Sequence, residues 1–210
     1  MKKLFLLFIL VILLTGCTSI ENSNINDIIN NVVKSKVKTT NINRNGYNYY
    51  IPKGLSVIDS ASFNEVLKDQ KYKYYLYVDV VSYNSKTNFN YTKNNNAYYS
   101  NSINNKDKKG YIEINNYKNN QYLIEIMYNY AKIEVIVYEE DINESVTYAI
   151  VVLSSVTYND NVIKNYLSST VLDSVEESFD IFEIVGSDNY LEFTEEEDSI
   201  EEVRDPDYIN

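Results

Sequence analysis

The sequence predicts an α+β domain in which helices pack on one antiparallel β-sheet. Three observations carry this. Runs rich in Tyr, Val and Ile that alternate with polar residues occupy the middle of the chain, at 72–83, 122–130 and 131–138. This is the period-2 pattern of strands with one buried face. Apolar residues at helical spacing flank them, near 25–33 and 142–153. Strands grouped together and bracketed by helices, rather than alternating with them, fit an antiparallel sheet better than a parallel α/β fold.

The elements follow in order. Ile25, Ile28, Ile29, Val32 and Val33 share one helical face, with Ser23 placed as N-cap and Lys34, Lys36 and Lys38 favouring the C-terminal end. The bland reading is a packing helix. Asn45-Gly46 signals a turn. Tyr47 to Ile51 reads as a strand stopped by Pro52-Lys53-Gly54, and Leu55 to Ile58 as a short extended piece. Phe63, Val66 and Leu67 suggest a turn of helix or a packed loop. The strongest strand is Tyr72 to Tyr83. Residues 84–109, dominated by Asn, Lys and Ser, read as a long polar connection or a ragged hairpin. Tyr111 to Ile114, Tyr122 to Tyr130 and Ala131 to Tyr138 read as strands, the last two paired tightly around Asn129-Tyr130. Asp141 and Glu144 have capping-box spacing. Ile142, Val146, Ala149, Ile150 and Leu153 then mark a buried helical face. Val156-Thr157-Tyr158 reads as extended, Asn159-Asp160 as a turn or cap, and Val162, Ile163, Tyr166 and Leu167 as a final helix. Phe179, Ile181 and Phe182 could dock on the domain.

The N-terminus carries an address. Lys2 and Lys3 precede an apolar run, Leu4 to Leu14, that ends in small residues before the single cysteine, Cys17. A basic start, a short apolar stretch and a small-residue exit form a secretory signal. A spanning helix needs roughly 20 apolar residues, more than this run offers. Leu14-Thr15-Gly16-Cys17 resembles the lipobox of bacterial lipoproteins. That resemblance implies a diacylglyceryl group on the Cys17 sulfur, cleavage before Cys17 and a membrane anchor on the extracytoplasmic face. Two acyl chains, at ~0.8 kcal/mol per buried CH₂, anchor stably where one does not. The expected organisation is a signal peptide at 1–16, a tether at 17–22, one α+β domain at 23–185 and an acidic, disordered tail at 186–210.

A second resemblance concerns the domain. Tyr50-Ile51-Pro52-Lys53-Gly54, the central meander, and the helix running into Leu153-Ser154-Ser155-Val156-Thr157-Tyr158 resemble PsbP-like domains over roughly residues 45–170. Bacterial lipoproteins of the LpqN type share that fold. The resemblance implies a sheet-and-helix sandwich with a binding or accessory role, usually without catalysis.

Charge and composition then narrow the chemistry. The formal net charge is −11, and residues 171–210 hold 15 of the 30 acids against one base, Arg204. Such a block repels phosphate backbones, so nucleic acid is not an expected partner. The chain has no histidine. That excludes Ser-His-Asp and Cys-His mechanisms and histidine metal sites. No phosphate-loop pattern is present. Glu139-Glu140-Asp141 and Glu195 to Asp198 lack the alternate-ligand spacing of a calcium loop. No cofactor or metal site is expected. Asp79, Glu113, Glu125 and Glu134 each sit between apolar residues in an expected strand. Brought together they could act as acid and base, but alternation places them on the solvent face, near Lys132. Tyrosine is abundant, with 22 residues and no tryptophan. A ring with a polar tip suits peptide or sugar contact, the lack of tryptophan weighing against a sugar platform, which makes Tyr75, Tyr77, Tyr83, Tyr128 and Tyr130 the candidate contact residues.

The function expected is a lipid-anchored, non-catalytic binding or accessory module of the cell envelope. Its surface would be the tyrosine-bearing sheet or a groove between sheet and helix, and its partner an envelope protein or peptide. A carboxylate-based envelope hydrolase and a structural or inhibitory protein-interaction lipoprotein are the alternatives.

Overall fold

The computed structural model describes residues 23–35 and 39–169. These all belong to one compact unit. The expected signal peptide, Cys17, the expected tether, the expected boundary at 185, Phe179 to Phe182 and the acidic stretch at 186–210 lie outside the described residues.

The architecture is a mixed α+β fold. Helix α1 spans Ile25–Lys34. Strands β1 (Ile42–Asn43) and β2 (Tyr47–Tyr49) form a small hairpin. Strands β3 (Ser56–Ala61), β4 (Asn64–Lys68) and β5 (Lys73–Val78) form a first meander. A short helix α2 (Val80–Ser85) follows. Strands β6 (Tyr99–Asn105), β7 (Lys108–Asn116), β8 (Gln121–Tyr128) and β9 (Ala131–Tyr138) form a second meander. Helix α3 (Ile142–Ser155), strand β10 (Thr157–Tyr158) and helix α4 (Asp160–Ser169) complete the described chain. The two meanders join where β5 pairs antiparallel with β9, giving one seven-stranded sheet of order β3-β4-β5-β9-β8-β7-β6. A separate three-stranded sheet, β1-β2-β10, ties the start of the domain to its end.

Register explains the core. Ile112, Ile126, Ile133 and Leu76 lie opposite one another across β7, β8, β9 and β5, and Ile114, Ile124, Val135 and Tyr74 form the neighbouring row. All eight are buried. Helices α1 and α3 pack together, and α3 packs on β8 and β9. Its buried face includes Ile142, Val146, Ala149, Ile150 and Leu153, as the sequence predicts.

Several expectations need correction. The N-cap of α1 is Asn24, not Ser23, and its side-chain oxygen accepts from the Asn26 N–H at 2.8 Å. Phe63, Val66 and Leu67 do not form a helical turn. Val66 and Leu67 belong to β4, where pairing on both sides with β3 and β5 overrides their helix-like spacing. The strand expected to run to Tyr83 stops at Val78 because the Asp79 carboxylate accepts from the Ser82 N–H at 2.8 Å and starts α2. Residues 84–109 contain a strand, β6, hairpinned onto β7. Asp141 makes no side-chain cap on α3. Its carboxylate instead binds Lys71 at 2.8 Å and the Tyr72 hydroxyl at 2.6 Å. The β8–β9 turn at Asn129-Tyr130 is where the sequence puts it. Both residues take positive φ, 55° and 62°, the backbone of a tight two-residue hairpin.

Candidate functional site

The side chains that alternate away from the core share the second face of the large sheet. There Glu113, Glu125, Glu134 and Tyr75 lie opposite one another across β7, β8, β9 and β5. The next row is Tyr111, Met127, Lys132 and Tyr77. Three of the four singled-out acids therefore converge, and Asp79 does not, being committed to the start of α2.

Alternation gives the correct face, but the expected solvation is wrong. Glu134 is only 9% exposed, and Glu113 and Glu125 are half-buried. Lys132 explains how the carboxylates coexist. Its Nζ donates to Glu134 Oε1 at 2.6 Å and lies 3.9 Å from Glu125 Oε2. The Tyr111 hydroxyl donates to Glu125 Oε1. Burial pushes the Glu125 carboxyl above its ordinary value. Lys132 and Tyr111 oppose that rise, and the neighbouring Glu134 charge adds to it. Burial also pulls Glu113 upward, but hydrogen bonds from Tyr91, Asn115 and Asn94 outweigh it and hold the group below its ordinary value.

The raised Glu125 value fixes a sign for stability against pH. The folded state holds this proton more tightly than the unfolded chain does. Its contribution is fully present below the unfolded value and is lost as pH rises through the folded one. A Glu125→Gln variant is expected to remove this component. Denaturant titrations of both proteins from pH 4.5 to pH 8 check it, wild type losing more stability than the variant over that range.

Part of this face is crossed by residues 86–98, which hold no helix or strand between α2 and β6. The Phe89 and Tyr91 rings stack on Tyr111, with centroids 5.4 and 4.5 Å away. The Tyr91 hydroxyl donates to Glu113 at 2.5 Å, and Asn94 Nδ2 donates to the same carboxylate at 2.8 Å.

The five candidate tyrosines divide three ways. Tyr75 and Tyr77 are half-buried on the carboxylate-bearing face, with Lys132 Nζ 5.5 Å from the centre of the Tyr77 ring. Tyr83 and Tyr130 meet edge to face at 5.7 Å at one end of the sheet, where Tyr83 also stacks on Tyr158 at 3.8 Å. Their hydroxyls are engaged, Tyr83 with Asp160 and Tyr130 with the Thr87 carbonyl. Burial and the Asp160 bond raise the Tyr83 phenol to about 12. Tyr128 is 1% exposed and belongs to the core. It has the same parity as Ile124 and Ile126, so the signal was available in the strand pattern.

Sequence reasoning missed Glu65. It sits on β4 at the end of the core row, opposite Leu76, and is 2% exposed. Arg44 Nη2 donates to it at 2.6 Å, the Tyr47 hydroxyl at 2.7 Å and the Tyr49 hydroxyl at 2.9 Å. Burial first, and the adjacent carboxylate second, push both phenols well above their ordinary value. The β1–β2 hairpin is fastened to β4 through this one side chain.

A cavity of about 440 Å³ lies between α1, α3 and Tyr50, lined by Asn31, Val32, Ser35, Thr39, Val151, Ser154 and Ser155. None of these residues is acidic, so this cavity and the carboxylate cluster are different places. Among the described residues no group of three or more His, Cys, Asp or Glu is arranged to hold a metal. No described helix is long and apolar enough to cross a membrane.

Searches against family models, curated proteins and solved structures found no match to this chain.

Proposed function

We propose that the chain is a lipid-anchored, extracytoplasmic binding or accessory module of the cell envelope, without catalysis, and that the carboxylate-bearing sheet face is its contact surface. The observation that carries the choice of surface is the register. Tyr75 and Tyr77 stand two residues apart on that face, beside Glu134 and Lys132. A phenol ring with a polar tip next to a paired charge suits an envelope protein or peptide. The lipobox Leu14-Thr15-Gly16-Cys17 supports the anchor. The finer, PsbP-like reading of the fold rests on the resemblance of Tyr50 to Gly54 and Leu153 to Tyr158.

The anchor is tested by detergent phase partition and mass spectrometry of native protein. A diacylated Cys17 at the N-terminus, lost in Cys17→Ser, is the expected result. The surface is tested by photo-crosslinking in intact cells. A crosslinker at position 77 is expected to capture an envelope component, with capture falling at least 10-fold when Tyr75→Ala is added. Unchanged capture would discard the surface. One observation favours the hydrolase reading, the raised Glu125 beside Glu134. Glu125→Gln abolishing turnover of envelope glycan or peptide, with crosslinking intact, would establish it instead.

A further inference from the structure

Residues 86–98 carry a pattern that a passive connection does not need. The segment is clasped at both ends. At its start the Tyr130 hydroxyl donates to the Thr87 carbonyl at 3.1 Å, and Lys109 Nζ donates to Asn88 Oδ1 at 2.9 Å. At its far end the Tyr98 ring lies 4.6 Å from Tyr122, and its hydroxyl donates to Glu139 at 3.3 Å. Between the clasps, Phe89, Tyr91, Asn94 and Ala97 are half-buried, while Asn90, Thr92, Lys93, Asn95 and Asn96 are exposed. The middle is therefore held to the sheet by two rings on Tyr111 and by two donors on one carboxylate, Glu113.

We propose that residues 86–98 form a releasable strap, pinned at its middle by Glu113, whose opening adds Tyr111 and Glu113 to the face that already carries the Glu125–Glu134–Lys132 cluster, Tyr75 and Tyr77. The register supports the continuity. Tyr111, Met127, Lys132 and Tyr77 form one unbroken row, and Glu113, Glu125, Glu134 and Tyr75 form the next. With the strap closed, the β7 end of both rows is taken up by Phe89, Tyr91 and Asn94. With it open, four strands present a continuous row of rings and carboxylates. The fastening is local, because both donors reach a single side chain. Losing that side chain therefore removes the polar pin and leaves the sheet ladder intact. The groups facing Glu113 are Tyr91 and Asn94 from the strap, Asn115 on its own strand, Ser100 opposite on β6 and Glu125 opposite on β8. The usefulness of opening to a ligand rests on the contact surface proposed above, whereas the strap itself stands on its own contacts.

The experiment uses the full chain without ligand, so its result is independent of any partner. Limited trypsin digestion at pH 7.5 is read by mass spectrometry at two sites, Lys93 in the strap and Lys106 in the β6–β7 turn. Lys106 serves as internal control. In Glu113→Ala the ratio of Lys93 to Lys106 cleavage is expected to rise at least 10-fold over wild type. Tyr91→Phe keeps the stacked ring and removes one donor, and is expected to give a smaller rise. Amide hydrogen exchange over 89–94 should quicken in step, with the thermal transition of the sheet still cooperative. An unchanged ratio in Glu113→Ala, or exchange that quickens equally across β7 and β8, would overturn the strap.

Discussion

Glu65→Ala is expected to be among the most damaging single substitutions in the domain, costing about 3–5 kcal/mol, the range for breaking a buried ion pair by removing one partner. The reason lies in what remains. Arg44, Tyr47 and Tyr49 all donate to this carboxylate. The two tyrosines are fully buried, so their hydroxyls find no water in its place. Arg44 is partly exposed, with 28% of its side chain accessible, and water rescues it, which favours the lower end of the range. Tyr47→Phe removes the donor to Glu65 Oε1 while Arg44 and Tyr49 still hold Oε2, and is expected to cost about 1.5–3 kcal/mol, the range for a hydrogen bond to a charged group. Urea denaturation of the three proteins measures the order. A Glu65→Ala protein as stable as wild type would show that the hairpin is held by the apolar contacts of Tyr47 and Tyr49 alone.

Gly110→Ala is the second large effect, and its cause is steric rather than electrostatic. Gly110 pairs with Tyr128 across β7 and β8. A Cβ built there would lie 2.0 Å from the Met127 carbonyl oxygen and 2.8 Å from the Tyr128 Cα. Both obstacles are backbone, and β7 is paired on both sides, so neither strand can move aside without losing ladder hydrogen bonds. The expected cost is about 3 kcal/mol, the upper end for overpacking, with reduced soluble yield. Thermal unfolding checks it. An alanine variant melting within a few degrees of wild type would mean that the strand accommodates a bulge at this point.

What the sequence made legible follows from periodicity. The β8–β9 pair and α3 were readable because each repeats one pattern for eight residues or more. The small elements were not. Phe63, Val66 and Leu67 have the i, i+3, i+4 spacing of a helix face, and only pairing to β3 and β5 makes two of them strand residues. Asp141 looked like a cap because no sequence rule says that Lys71 and Tyr72 will reach it first. The carboxylate cluster was half readable. Alternation gives the face of Glu113, Glu125 and Glu134, but their alignment in one row depends on register across three strands. Their burial reflects Lys132, Tyr111 and the strap, whose aromatic residues lie in an Asn-rich stretch without period. Glu65 was invisible for a sharper reason. An acid at a core-facing strand position contradicts the binary pattern, and its three donors come from a hairpin some twenty residues away.

The small sheet has a consequence for the order in which the molecule comes into being. Its middle strand is made of residues 47–49, and one neighbour is residues 157–158. The Tyr50 N–H also donates to Ser155 Oγ, and the Asn159 N–H to the Gly46 carbonyl. A chain delivered N-terminus first therefore has its early hairpin ready long before the piece that closes it arrives. Until residue 159 emerges, that edge has no companion on one side, and such long-range closure is intrinsically slow. Completion waits on nearly the last described turn of the polypeptide.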